Sequence, residues 1–261
     1  MATFNKRGYK SPKEKEDKLD NNFIENVNVD EKDSATAKAF ETLDQTASRT
    51  EDFVAKNQKY ILGLLGAAAL VTVGYLMYQK FIAEPKQFEA ADELFVAQQN
   101  FQKAVDGDVK ADSLYNLVLK GSEGKQGVVE IAEQYSGTAS GNLANYYAGL
   151  SYLNTGKYTE AITYLEKFSS DDAILNALSK GAIGDAHAQK NQQKEALEFY
   201  VKAAESNRND FTTPRYLLKA GKTALAMGNK ADALKYFNDI KDNYETTPEG
   251  QSVDALIGLA Q

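Results

Sequence analysis

The sequence predicts an all-α protein in which a helical repeat solenoid is attached to a single N-terminal transmembrane helix. Three observations carry this. Tyr60 to Tyr78, YILGLLGAAALVTVGYLMY, holds no charged residue over 19 positions. From Pro85 onward the chain reads as helix after helix, with prolines only at element borders (Pro85, Pro214, Pro248) and almost no β-branched alternation. In the C-terminal half, three segments align with one another at spacings of 35 and 37 residues.

Residues 1–33 open with a mixed-charge stretch, KRGYKSPKEKEDKLDNN, too poor in apolar residues to build a core. They read as a disordered charged tail. Phe23, Ile24, Val27 and Val29 offer a short docking motif, against the simpler reading of a solvated tail. Residues 34–59 read as a juxtamembrane helix with Ser34 as N-cap. Its apolar positions, Phe40, Leu43, Ala47, Thr50 and Val54, follow a three-four spacing suited either to a partner helix or to a membrane surface.

Residues 60–80 are expected to span a bilayer. Nineteen residues at 1.5 Å rise cover about 28 Å, close to the hydrocarbon thickness. Lys56 and Lys59 precede the stretch, Lys80 follows it, and Tyr60, Tyr75 and Tyr78 occupy interfacial positions. The competing reading is a buried core helix. A cleaved signal peptide would lie at the extreme N-terminus with a shorter apolar region, so the span is expected to persist as an anchor. Arg49, Lys56 and Lys59 on one flank against Lys80 and Lys86 on the other place the N-terminus in the cytoplasm and the large domain outside it. Gly63, Ala67, Leu70 and Gly74 share one helical face, where small residues admit a second helix; the alternative is a face that meets only lipid.

Composition narrows the chemistry. Without cysteine there is no disulfide, thiolate metal site, cysteine nucleophile or lipidated cysteine anchor. From Glu84 onward 18 basic residues face 25 acidic ones, a balance that accounts for the net charge of −7 and argues against nucleic acid. The lone histidine, His187, falls where Tyr152 sits one repeat earlier and reads as a packing residue. Asp171 and Asp172 read as a loop and helix cap rather than a catalytic pair. No phosphate-binding glycine pattern or EF-hand loop is present. No enzyme activity, cofactor, metal or small-molecule substrate is expected.

The aligned segments are NLANYYAGLSYLNTGKYTEAITYLEKF from Asn142, ALSKGAIGDAHAQKNQQKEALEFYVKA from Ala177 and PRYLLKAGKTALAMGNKADALKYFNDI from Pro214. Gly149, Gly184 and Gly221 coincide, as do Ala161, Ala196 and Ala233. Turns fall at Gly156, Asn191 and Gly228. Tyr152, Tyr158, Leu165, Tyr200 and Phe237 are the large residues that fill the space between helices. This pattern resembles the tetratricopeptide repeat, a pair of antiparallel helices. It departs from it at Asn145, Lys180 and Leu217, where an aromatic is usual, and at Phe168 and Ile240, where a small residue is usual. The array is expected over residues 141–261, with QSVDALIGL (251–259) as a closing helix. Residues 85–140 are expected to form an irregular degenerate repeat, with helices over 86–106, 110–120 and 126–135 broken at Gly107, Gly121 and Gly124.

In tetratricopeptide arrays the first helices of successive units line a groove for peptides or partner helices. The resemblance places Tyr146, Leu150, Leu153, Asn154, Asp185, Gln189, Arg215, Leu218 and Lys222 in that groove. The lysine and asparagine set that clamps a C-terminal carboxylate in some members is missing, which disfavours a cytosolic co-chaperone. Tail, span and acidic array together resemble the YfgM-like proteins of bacterial envelopes. That resemblance implies an inner-membrane protein with a periplasmic array, an accessory subunit of the Sec translocon. The implied partners are translocon channel subunits, a membrane-anchored periplasmic chaperone of the prolyl isomerase class, or exported chains. The alternative is a structural scaffold, self-associating or part of another envelope assembly.

Overall fold

The computed structural model describes residues 35–107 and 111–261. The expected tail, its docking motif and the Ser34 cap lie outside them. The chain divides into two units, residues 1–71 and 72–261.

In the first unit the described residues belong to helix α1, Ala35–Tyr78. The juxtamembrane helix and the apolar stretch, expected as separate elements, are one helix. Thr42, Thr46 and Thr50 donate their hydroxyls to the carbonyls of Lys38, Thr42 and Thr46. Those bonds satisfy side chains that otherwise favour non-helical backbone. Helical backbone continues to Val105, and none of its 18-residue apolar window is buried. Leu64, Leu70 and Val71 are exposed by 71, 75 and 72%, so no core among the described residues shields this stretch.

In the second unit a π-helical segment, Gln79–Ala83, leads into α2, Glu84–Val105. The Glu84 amide reaches back to the Gln79 carbonyl just before Pro85. Proline has no N–H and its ring clashes with the carbonyl four residues back, so a widened turn at this point lets the helix continue. Ala90, Leu94, Ala97 and Ala104 form the buried stripe of α2. The first three pack against Val118 and Leu119 of α3 (Ala111–Lys120), Val128, Ile131 and Ala132 of α4 (Val128–Gln134), and Ala144 and Ala148 of α5 (Ala139–Asn154).

Between α3 and α4 the expected helix breaks at Gly121 and Gly124 are a β-hairpin. Strand β1, Gly121–Ser122, pairs antiparallel with β2, Lys125–Gln126. Glu123 and Gly124 take positive φ of 56° and 77°, as a tight two-residue hairpin turn requires. The hairpin is fastened to α2: Lys125 pairs with Asp92 and Glu93, the Gln126 amide donates to Glu93, and Asn100 donates to Ser122.

The array follows as α5 with α6 (Tyr158–Lys167), α7 (Ala173–Gln189) with α8 (Gln193–Glu205), and α9 (Thr213–Ala226) with α10 (Lys230–Asn243). All three pairs turn the same way. Gly156, Asn191 and Gly228 have φ of 76°, 59° and 78°. Each is followed by an amide that bonds five residues back: Lys157 to Tyr152, Gln192 to His187 and Asn229 to Ala224, at 2.8, 2.9 and 2.9 Å. These are Schellman turns, which satisfy the last carbonyls of the preceding helix. Inside each pair, a Cβ added at Gly149, Gly184 or Gly221 would overlap Leu165, Tyr200 or Phe237 respectively. The glycine is therefore where a large side chain of the second helix rests on the backbone of the first.

A further repetition brackets the array. Tyr135, Thr138 and Gly141 join α4 to α5, and Tyr244, Thr247 and Gly250 join α10 to α11 (Pro248–Ser252). In both, the threonine hydroxyl donates to the tyrosine carbonyl and accepts from the glycine amide. Both glycines sit against that carbonyl, leaving no room for a Cβ. The closing helix, expected as one piece, is two: α11 and α12 (Asp254–Ala260), with fully buried Val253 between them.

Candidate functional site

The first helices of the three pairs, α5, α7 and α9, carry the expected groove. Leu153 and Asn154 end α5, and Asp185, Ala188 and Gln189 lie on the last turns of α7. With Tyr158, Tyr200 and Lys219 they line a cleft of about 480 Å3.

Asp185 is the centre of this cleft. Lys219 donates to both of its carboxylate oxygens, at 2.6 and 2.8 Å, and the Tyr200 hydroxyl donates to Oδ1 at 2.8 Å. The ammonium group also lies 5.5 Å from the Tyr200 ring centroid and 5.8 Å from that of Tyr216. Burial, and next the Asp185 charge, pushes the Tyr200 phenol far above its ordinary range, so it remains a donor at physiological pH. Burial likewise raises Tyr216, with Arg215 opposing and Asp185 adding to the shift.

Leu153, Asn154, Asp185 and Gln189 of the expected set are thus brought together. Tyr146 is not among the lining residues. It is buried, its ring 5.0 Å from that of Phe168, in a cluster with Leu165, Ala182 and Ile183 that Leu150 joins from its edge. Leu218 packs half-buried against the core of the second and third pairs. Arg215 and Lys222 are exposed and lie beyond the cleft, four residues before and three after Lys219 on the same face of α9. Asn154 uses its amide on the Leu150 carbonyl.

The helical face expected to admit a second helix is open. Gly63, Ala67, Leu70 and Gly74 are exposed, and a Cβ at Gly63 or Gly74 would meet nothing. Sequence reasoning missed three exposed phenylalanines beyond it, Phe81, Phe88 and Phe95, spaced by seven residues and exposed by 67, 75 and 56%. It also missed Lys219, although its spacing from Arg215 and Lys222 was a visible signal. His187 stacks on Phe199 with centroids 5.4 Å apart, and its Nδ1 lies 2.9 Å from Gln192 Oε1. These are packing contacts that tie α7 to α8.

Residues 143–172 and 215–247 match one family model of the tetratricopeptide repeat, and residues 179–210 match another. The matched stretches fall on the three helix pairs. Neither curated proteins nor solved structures gave a match to the chain. The second unit thus carries tetratricopeptide repeats in an all-helical array, a type of module that binds other proteins and is typically non-catalytic.

Proposed function

We propose that the chain is a membrane-anchored adaptor of the bacterial inner membrane. Its N-terminus is cytoplasmic, residues 60–80 cross the bilayer once, and the array binds partner proteins in the periplasm. The observation that carries this reading is an apolar window of mean hydropathy 1.9 with none of it buried, in a chain whose array is packed without it. A water-exposed apolar surface of that length is unfavourable, and a bilayer removes it from water.

The partners that fit are channel subunits of the Sec translocon, a membrane-anchored periplasmic chaperone, or exported chains. The open face at Gly63, Ala67, Leu70 and Gly74 would meet a partner helix in the membrane. Tethering would raise the effective concentration of a weak groove beside the channel. The test is affinity capture at native level in mild detergent, followed by quantitative mass spectrometry. Stoichiometric channel subunits, lost when Gly63 and Gly74 are enlarged to leucine, support the reading; their absence removes it.

A self-associating scaffold is the second reading, favoured by the seven-residue spacing of exposed Phe81, Phe88 and Phe95. It requires a stable homo-oligomer that Phe88→Glu dissociates.

A further inference from the structure

Each helix pair of the array closes in one way: a glycine on the first helix receives a large side chain of the second. That large residue follows a buried alanine by four positions, as Ala161 and Leu165, Ala196 and Tyr200, and Ala233 and Phe237 show. Helices α11 and α12 repeat the first helix once more. Gly258 follows Tyr244 by 14 residues, as Gly149 follows Tyr135, and Val253 and Ala260 are buried where Ala144 and Ser151 are. At Gly258, however, a Cβ would meet nothing, and the neighbouring Leu259 is exposed. Among the described residues no side chain rests on this fourth seat.

The matching side chain stands elsewhere in the same unit. On α2, Ala91 and Phe95 have the spacing of the three alanine and large-residue pairs, and ADELFV (91–96) parallels ALEFYV (196–201) of α8. In α8 the pair is buried against Gly184. In α2 the buried stripe runs through Ala90, Leu94 and Ala97, which leaves Ala91 and Phe95 exposed, with Phe88 extending the same face. The chain thus presents a second-helix face without a seat and a seat without a second helix. Phe95 and Gly258 do not meet within one copy, because nothing lies within 4 Å of the Gly258 Cβ position.

We propose that they meet between copies: the face of Ala91 and Phe95 on one chain docks on the Gly258 and Leu259 seat of a second copy. This rests on the self-associating reading and gives it a defined contact. Two different surfaces are used, so the association is head-to-tail, and its repetition closes a ring or extends a row. Both halves follow residue 80, so the proposed span does not separate them. Asp92 and Asp254, the carboxylates beside the two halves, are paired with Lys125 and Lys241, so they do not oppose the contact uncompensated.

The test is sedimentation of the full chain in mild detergent, with two variants measured alone and mixed. Gly258→Leu fills the seat and leaves Phe95 in place; Phe95→Gln removes the docking ring and leaves the seat open. Both positions are exposed, so neither change should lower the unfolding midpoint. The unaltered chain is expected to associate in a concentration-dependent way, and each variant alone should weaken that association about tenfold or more. Mixed together, the two variants should form a one-to-one dimer that grows no further, since one intact face and one intact seat remain between them. Two variants that stay apart when mixed would overturn the head-to-tail contact. An oligomer that Gly258→Leu leaves intact would also overturn it, and dissociation of that oligomer by Phe88→Glu would keep the self-associating reading. A monomeric unaltered chain would remove both and leave the adaptor reading untouched.

Discussion

Lys219 on α9 bonds both carboxylate oxygens of Asp185 on α7, joining the first helices of the second and third repeats across the groove. The two side chains remain about one-third exposed, so the charge attraction itself is modest. The stakes lie with Tyr200, which is 4% exposed and uses Asp185 as its acceptor. Asp185→Asn keeps an acceptor and should cost under about 1 kcal/mol. Asp185→Leu leaves the phenol unpaired and should cost about 1–3 kcal/mol. Urea unfolding of the two variants checks this, and equal costs would show that Tyr200 does not depend on Asp185.

Gly221 and Phe237 make a second testable contact. Phe237 is fully buried, and its ring occupies the space a Cβ on Gly221 would need. Gly221→Ala should destabilise by about 1–3 kcal/mol through overpacking. Phe237→Leu should recover part of that loss when combined with it, a coupling that a double-mutant cycle reads directly. Gly228, at φ 78° in open space, should lose only about 1 kcal/mol on change to alanine, from backbone strain alone.

The hairpin clamp gives a pH dependence. The Gln126 amide, helped by Lys125 and opposed by burial, holds the Glu93 carboxyl below its usual range. A depressed folded pKa stabilises the protein above the unfolded value, and that stability disappears as pH falls through the folded value. Melting temperature should therefore fall on acidification below about pH 4, and Glu93→Gln should flatten that part of the profile. An unchanged slope in the variant would remove Glu93 as the cause.

His187→Phe preserves the stack on Phe199 and loses the contact with Gln192. Partner capture should be unchanged and the unfolding midpoint should shift by less than about 1 kcal/mol. Loss of capture by a normally folded variant would assign His187 a direct part in function.

The array was legible because its geometry demands particular residues at fixed intervals. Helices that touch at Gly149, Gly184 and Gly221 leave little room for a side chain, and the left-handed turns at Gly156, Asn191 and Gly228 mark where each pair reverses. The hairpin was not legible. Gly121 and Gly124 announce only that a helix stops, while pairing depends on the distant anchors Asp92, Glu93 and Asn100. The burial of Tyr146 was not legible because helical spacing identifies a face without telling what covers it, and Phe168, from the end of α6, packs on it. Lys219 was missed because a long side chain's partner lies on another repeat, 34 residues away in sequence.

The most direct test of the adaptor account is the sidedness of its two ends. The chain has no cysteine, so single thiols introduced by Thr50→Cys and Asn238→Cys, both at exposed positions, report without background. A small membrane-impermeant maleimide applied to intact cells should label Asn238→Cys and reach Thr50→Cys only after lysis, with both variants retained in membranes through an alkaline carbonate wash. Labelling of Thr50→Cys alone, labelling of both before lysis, or release of the protein by the wash would contradict a single span with the array outside the cytoplasm.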